Sequence, residues 1–361
     1  MLVIKSAFES TNTDLALLSR DPLTVGDNNG VRFIGDLGFP YSYPGGIPAN
    51  LAVVKDVAGH ADGQAVIAGG VTHVGNGFDF SGVSAIGNYL SIPASVSADI
   101  YGAGGGATAT AARTGAAVTS VSVTAPGAGY VAGEPQAIFS GGGGSGAAGT
   151  VVVDGSGAVT GVTVTSGGSG YSSDPTVTIV PGPQYFMACL YVKLPLLADW
   201  PTSTNIATLL QFDEYLSFPD LLTLDMKNTS SKIESRRQTA AGTAAFREVI
   251  PQSGDYGGLA QIIYWRNASG VGLRLKTANG AVLATTTPGS PNTQDFSAKT
   301  GKAGIGPKWW NNSLVQDVNA KKWRLYRVFI ENLRRSGRDP VAVADADYAR
   351  FAARVARGEF S

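Results

Sequence analysis

The sequence predicts an all-β protein: a two-sheet sandwich interrupted by a small glycine-rich β domain and finished by one C-terminal helix. Three observations predict it. Short apolar runs bounded by turn residues recur along most of the chain; composition shifts abruptly near Asp99 and again near Pro181; and a sustained helical spacing of apolar residues appears only near the end. Charged residues make up 15 % of the 361, and glycine supplies 48 of them, against roughly 25 % charged and about 7 % glycine in ordinary globular domains. Such a chain gains little solubility from charge. It reads as a turn-rich β protein or as a subunit whose surface is covered by neighbours in an assembly.

Residues 1–98 and 184–361 supply the sandwich. Candidate strands are Val31 to Ile34, Leu51 to Val54, Gly77 to Phe80, Tyr89 to Ile92, Tyr185 to Leu194, Ile206 to Phe212, Leu221 to Met226, Leu259 to Trp265, Val271 to Leu275, Ala281 to Thr287 and Trp323 to Ile330. Each is a short run rich in β-branched, aromatic or leucine residues between Gly, Pro, Asn or Asp. That many short strands suit two packed sheets.

Residues 99–183 form the inserted domain. Between Tyr101 and Pro183 there are 21 glycines and four charges, Arg113, Glu134, Asp154 and Asp174. The stretch APGAGYVAGEPQAIF at 125–139 returns as SGGSGYSSDPTVTIV at 166–180, so Tyr130 matches Tyr171, and Val118, Val121 and Val123 match Val159, Val162 and Val164. This is a tandem repeat. Each copy reads as strand, glycine turn, strand, with Asp154-Gly155 as a hairpin turn. The glycines let the chain turn through positive φ, the tyrosine caps a small core, and proline fixes how the next strand begins. So few large apolar residues predict that residues 99–183 are marginal in isolation.

The helix is predicted over about 345–357. Ala344, Tyr348, Phe351 and Val355 make one apolar stripe, Asp345 and Asp347 stand at its start, and Arg350, Arg354 and Arg357 lie towards Gly358, the charge order a helix dipole favours. The stripe is expected to dock on the sandwich.

Formal net charge is zero, which argues against nucleic acid as a partner. The distribution is uneven: Lys299 to Ser361 holds 13 Lys and Arg against 6 Asp and Glu. That segment reads as a solvated basic face, or as a surface drawn to the acidic remainder of a neighbouring subunit. The single Cys189 lies in the apolar run Phe186 to Val192 and reads as a buried thiol. No charged leader with an apolar core opens the chain, and no stretch reaches the ~18 apolar residues of a membrane span. The expectation is synthesis in a reducing cytoplasm.

Sites of chemistry are few. Gly141 to Gly146 satisfies G-x-G-x-x-G but leads into a strand, so it predicts no dinucleotide site. His60 and His73 have no Cys partners, and no metal or cofactor is expected. Asp213-Glu214 are adjacent carboxylates that a regular strand would turn to opposite faces, so they do not frame a glycosidic bond. No catalytic residue is assigned, and the chain is expected not to be an enzyme. The best binding candidate is Trp309-Trp310-Asn311-Asn312, two rings for sugar stacking with two amides for hydroxyls. The competing reading plugs one of the tryptophans into the core.

Two resemblances add to this. Gly77-Phe-Asp-Phe-Ser-Gly82, Asn88-Tyr-Leu-Ser-Ile-Pro93 and Phe186-Met-Ala-Cys-Leu-Tyr-Val-Lys193 resemble phrases of the concanavalin A-like (laminin G-like) jelly roll, which implies a jelly-roll sandwich with the repeats looped out between two strands. The chain lacks the E-x-D-x-x-E strand of that family's glucanases. The repeat resembles glycine-rich units of tailed-bacteriophage structural proteins, and Leu325 to Arg338 with Asp347 to Phe351 resembles the close of phage virion proteins. The implied role is a virion subunit of tail, baseplate or fibre, homo-oligomeric (a trimer suits a spike), touching other virion structural subunits and host-surface polysaccharide. Implied alternatives are a head decoration or head-fibre protein and a tail-associated polysaccharide depolymerase.

Overall fold

The computed structural model describes residues 21–361 apart from 84–85, 101–103, 183, 202–205, 213–221, 228–230, 241–242, 287–302, 308, 311–312 and 315–321. Two eight-stranded antiparallel sheets pack face to face. The inner sheet runs Gly280–Thr286, Gly270–Thr277, Leu259–Asn267, Phe186–Lys193, Arg324–Asn332, Gly77–Asp79, Thr72–Val74, and Val31–Asp36 also pairs with Arg324–Asn332. The outer sheet runs Thr243–Val249, Lys232–Ala240, Leu222–Lys227, Ile206–Phe212, Ala303–Ile305, Tyr89–Ile92, Gly63–Val66, Ala52–Val54. The strands expected from apolar runs are present. Lys232–Ala240 and Thr243–Val249 are strands that the apolar runs did not predict, because their charges hide the two-residue alternation.

The inner sheet is buried on both faces, which explains the unbroken apolar run at Phe186–Lys193. Ala188, Leu190 and Val192 point into the core against the outer sheet, while Met187, Cys189 and Tyr191 lie in a second core. That second core sits beneath α3, Pro340–Ala356, the longest of three helices among the described residues; α1 is Ala94–Ile100 and α2 is Leu333–Ser336. Helix α3 begins five residues before the predicted start. Asp339 caps it, accepting from Ala342 N–H at 2.7 Å, and Pro340 takes the first turn. Phe351 stacks on Tyr191 at 4.2 Å, so the stripe docks on the chain's own sandwich.

A bulge turns one charge into this layer. The ladder between Phe186–Lys193 and Arg324–Asn332 slips between Tyr191 and Val192. Tyr191 pairs with Arg327 and Val192 with Leu325, so Tyr326 is the extra residue; with Leu325 and Val328 facing the main core, Tyr326 and Arg327 both fall on the helix side, a bulge that re-aims a side chain. Its guanidinium, 4 % exposed, meets Asp36 at 2.6 Å, Asp21 at 2.9 Å and Asp347 at 3.4 Å. Burial alone would raise the Asp36 carboxyl, but Arg327 and Arg354 outweigh it and hold it below its ordinary value. Five arginines of the C-terminal segment find their acidic partners inside the chain: Arg324 on Asp79, Arg327 and Arg354 on Asp36, Arg334 on Glu134, Arg335 on Asp99.

Residues 105–180 make a separate six-stranded sheet in the order Val159–Ser169, Ser145–Val153, Gln136–Ser140, Thr176–Val180, Gly105–Thr114, Ala117–Ala128. The repeats are related by a pseudo-two-fold axis between Gln136–Ser140 and Thr176–Val180. Tyr130 N–H donates to Gly157 C=O at 3.0 Å and Tyr171 N–H to Ala116 C=O at 3.1 Å. The sheet therefore curls until its two edges meet. Tyr130 and Tyr171, each 4 % exposed, fill one small core apiece. The hairpin at 154–158 is closed by the Asp154 carboxylate, which accepts from the N–H groups of Ser156 and Ala158.

The matching acid-proline pairs have diverged. Asp174 stays within the module beside Arg113, 3.7 Å away, while Glu134 reaches the sandwich and lies 2.9 Å from Arg334. Next to it Asp99 binds Arg32, Arg335 and Asn332. Helix α1 and the base of the insert are pinned to the body through this cluster.

Candidate functional site

Trp309 packs against the outer sheet. Trp309–Trp310 pairs with Ser313–Leu314, and Gln211 of the outer sheet grips Trp309 twice, accepting from its N–H at 3.0 Å and donating to its C=O at 2.9 Å. The ring is 9 % exposed and lies edge-on to Tyr89 at 5.5 Å. Trp309 therefore presents no stacking platform, because its area is already used against the sheet. The Trp310 side chain, Asn311 and Asn312 lie outside the described residues, as do Asp213 and Glu214. His60 and His73 each hold a backbone carbonyl, of Val31 at 2.9 Å and Leu37 at 3.2 Å, and burial lowers the His73 pKa. Cys189 is fully buried, and burial pushes its thiol well above the ordinary value. Among the described residues no group of three or more His, Cys, Asp or Glu is placed to hold a metal, and no helix is long and apolar enough to cross a membrane.

The structure assembles a polar cleft elsewhere. Lys193, Arg324 and Asp79 follow one another across three inner-sheet strands. With Ser81, Leu196, Asp199, Lys322 and Trp323 they line a cleft of about 540 Å³. Asp79 accepts from Arg324 Nε at 2.9 Å and Nη2 at 2.6 Å. Burial would raise this carboxyl, but hydrogen bonds from Ser81 and Arg324 hold it below its ordinary value. Trp323, 1 % exposed, stacks on Phe80 at 4.7 Å. Lys322 Nζ donates to the Ser81 carbonyl at 3.1 Å. Among the described residues the Lys193 ammonium has no hydrogen-bond or ion-pair partner. Sequence reasoning missed this cleft because its parts come from 79–81, 193–199 and 322–324; the only local signal was a lysine ending an apolar run.

A second constellation lies on the outer sheet. Thr208, Asp225, Glu234 and Glu248 are successive cross-strand partners and so share one face, with neighbouring Cβ atoms about 5 Å apart. Asp225 accepts from Thr208 at 2.7 Å and Thr223 at 3.1 Å. Glu234 lies 2.6 Å from Lys227, 3.5 Å from Lys232 and 3.4 Å from Arg236. The Lys232 ammonium beside Glu248 holds that carboxyl below its ordinary value. The carboxylates are adjacent, and each is already engaged.

No protein-family model matches this chain, and no curated protein does. Among solved structures it is similar to the CBM40 domain of Ruminococcus gnavus IT-sialidase bound to α2,3-sialyllactose, with 11 % identity over 45 % of this chain and 82 % of that one, TM-score 0.31. It is similar to the CBM2 module of the Lactobacillus casei BL23 phage J-1 evolved Dit, with 10 % identity over 41 % of this chain and 61 % of that one, TM-score 0.27. It is also similar to tailspike protein 2 of Escherichia coli O157:H7 bacteriophage CAB120, with 11 % identity over 38 % of this chain and 19 % of that one, TM-score 0.28. The likeness is coarse and assigns no ligand or partner to this chain.

Proposed function

We infer that this chain is a non-enzymatic structural subunit of a tailed-phage particle, on the tail, baseplate or a fibre, where it contacts host-surface glycans. The observation that carries the reading is the inserted module. It is a pseudo-two-fold pair of glycine-rich repeats whose sequence resembles units of phage structural proteins, curled into its own sheet and ion-paired to a sandwich at its base. Its outward positions, among them Thr108, Thr110, Ser122, Thr124, Thr176 and Thr178, are exposed hydroxyls. A nearly uncharged wall of this kind suits contact with neighbouring subunits or sugars better than it suits ionic partners. Immunogold labelling of intact particles tests the location: label on the tail supports the reading, label on the head replaces it with a head decoration protein, and unlabelled particles sink it. One observation favours an enzyme, the cross-strand carboxylates Asp225 and Glu234. Release of reducing sugar from host polysaccharide, lost in Asp225→Asn and Glu234→Gln, would establish the depolymerase instead; no release is expected.

A further inference from the structure

The strand-end cleft breaks a rule that sheets ordinarily keep. Lys193 and Arg324 are direct cross-strand partners, which sets two cations side by side at a cost in stability. Asp79, next in the row, is committed to Arg324 by two hydrogen bonds, so Lys193 stays uncompensated. Lys322 gives its ammonium to a neutral carbonyl. Trp323 forms part of the cleft wall between Lys322 and Arg324. Breaches of local rules without compensation inside the chain concentrate at binding sites.

We propose that this cleft binds an acidic saccharide, with Lys193 and Lys322 taking its carboxylate and the exposed Asp199 accepting from ring hydroxyls. Its volume of about 540 Å³ falls within the range of small-ligand sites. A simple anion would leave most of that space empty and would face Asp199 with nothing to offer it. A neutral sugar would leave both ammonium groups unanswered. A sugar acid answers both. The assignment rests on the glycan-contact part of the reading above and gives it a chemical class.

The test is calorimetric titration of the full chain with hexuronate oligosaccharides, their carboxyl-reduced counterparts and inorganic phosphate. Hexuronates are expected to bind, the reduced forms at least about tenfold more weakly, and Lys193→Gln and Lys322→Gln each to lose about tenfold in affinity, the worth of one charge-assisted contact. Unliganded Lys193→Gln should melt at or above the wild-type temperature, because a like-charge pair has gone. Absence of hexuronate binding, equal binding of the reduced sugars, or undiminished binding by both variants overturns the proposal. Phosphate binding as tight as hexuronate means an adventitious ion only, and overturns it too. A lower melting temperature for Lys193→Gln makes that lysine a packing residue and removes it from the site. The outcome is separable from particle location: sugar binding by a chain that labels no particle keeps the cleft and loses the virion role, and the converse keeps the virion role alone.

Discussion

Gly127 and Gly168 occupy equivalent places in the two repeats, with φ of +60° and +62°. A Cβ on either would fall 2.3 Å from a backbone carbonyl oxygen, that of Gly105 or Ser145. These contacts are with backbone, which cannot swing aside as a side chain would. Gly127→Ala and Gly168→Ala are each expected to cost about 2 kcal/mol or more through strain and crowding. Hydrogen exchange should accelerate in residues 105–180 and stay unchanged in the sandwich; uniform protection in both would refute this. The sequence pattern marked these glycines as turn residues. It could not show that the other strand's backbone occupies the space where a side chain would go, which is a fact of the curl of the sheet.

Helix α3 is held by apolar stacking and by the Arg327 network together. Replacing Arg327 with Met would leave Asp36 and Asp347 buried without their shared cation, and loss of one partner from such a group costs about 3–5 kcal/mol. Denaturant unfolding should register that loss; a variant within 1 kcal/mol of wild type, on the order of an exposed pair, would show the network to be dispensable. The same carboxyl fixes a pH dependence. The folded Asp36 carboxyl sits below its ordinary value of 3.8, so its contribution is complete above that value and is lost as pH falls through the folded one. Glu359, held down by Arg354, and Asp345, held down by Lys276 and Arg274 against the opposing effect of burial, act in the same direction. Stability should therefore drop on acidification below about pH 4, where near-ultraviolet dichroism of the stacked Tyr191 and Phe351 would report undocking. The amphipathic stripe of α3 was legible from spacing alone. Its early start was missed: Asp339-Pro340, an N-cap residue followed by proline, is itself a start signal in the sequence, but it stands ahead of the apolar stripe from which the helix was read.

The molecule as a whole is a three-layer body, outer sheet, inner sheet and helix, with the curled insert fastened at one end. The insert has two cores of a few residues each, and its base is completed by Arg334 and by the Asp99 cluster. Residues 99–183 expressed alone are expected to give a poorly dispersed amide spectrum; a well-dispersed one would show that the curl suffices without the body.

From the sequence alone followed the all-β class, most sandwich strands, the tandem repeat and its tyrosine cores, and the buried state of Cys189. All of these depend on near neighbours in the chain, through alternation, turn chemistry and repeat spacing. Only the tertiary structure decided that Trp309 is packing, that opposite charges from the two ends of the chain meet within one molecule, and that Asp79, Lys193 and Lys322 converge on one cleft. Those outcomes depend on which distant strands become neighbours, and strand order and bulge register are set by the packing of whole sheets, which no local pattern encodes.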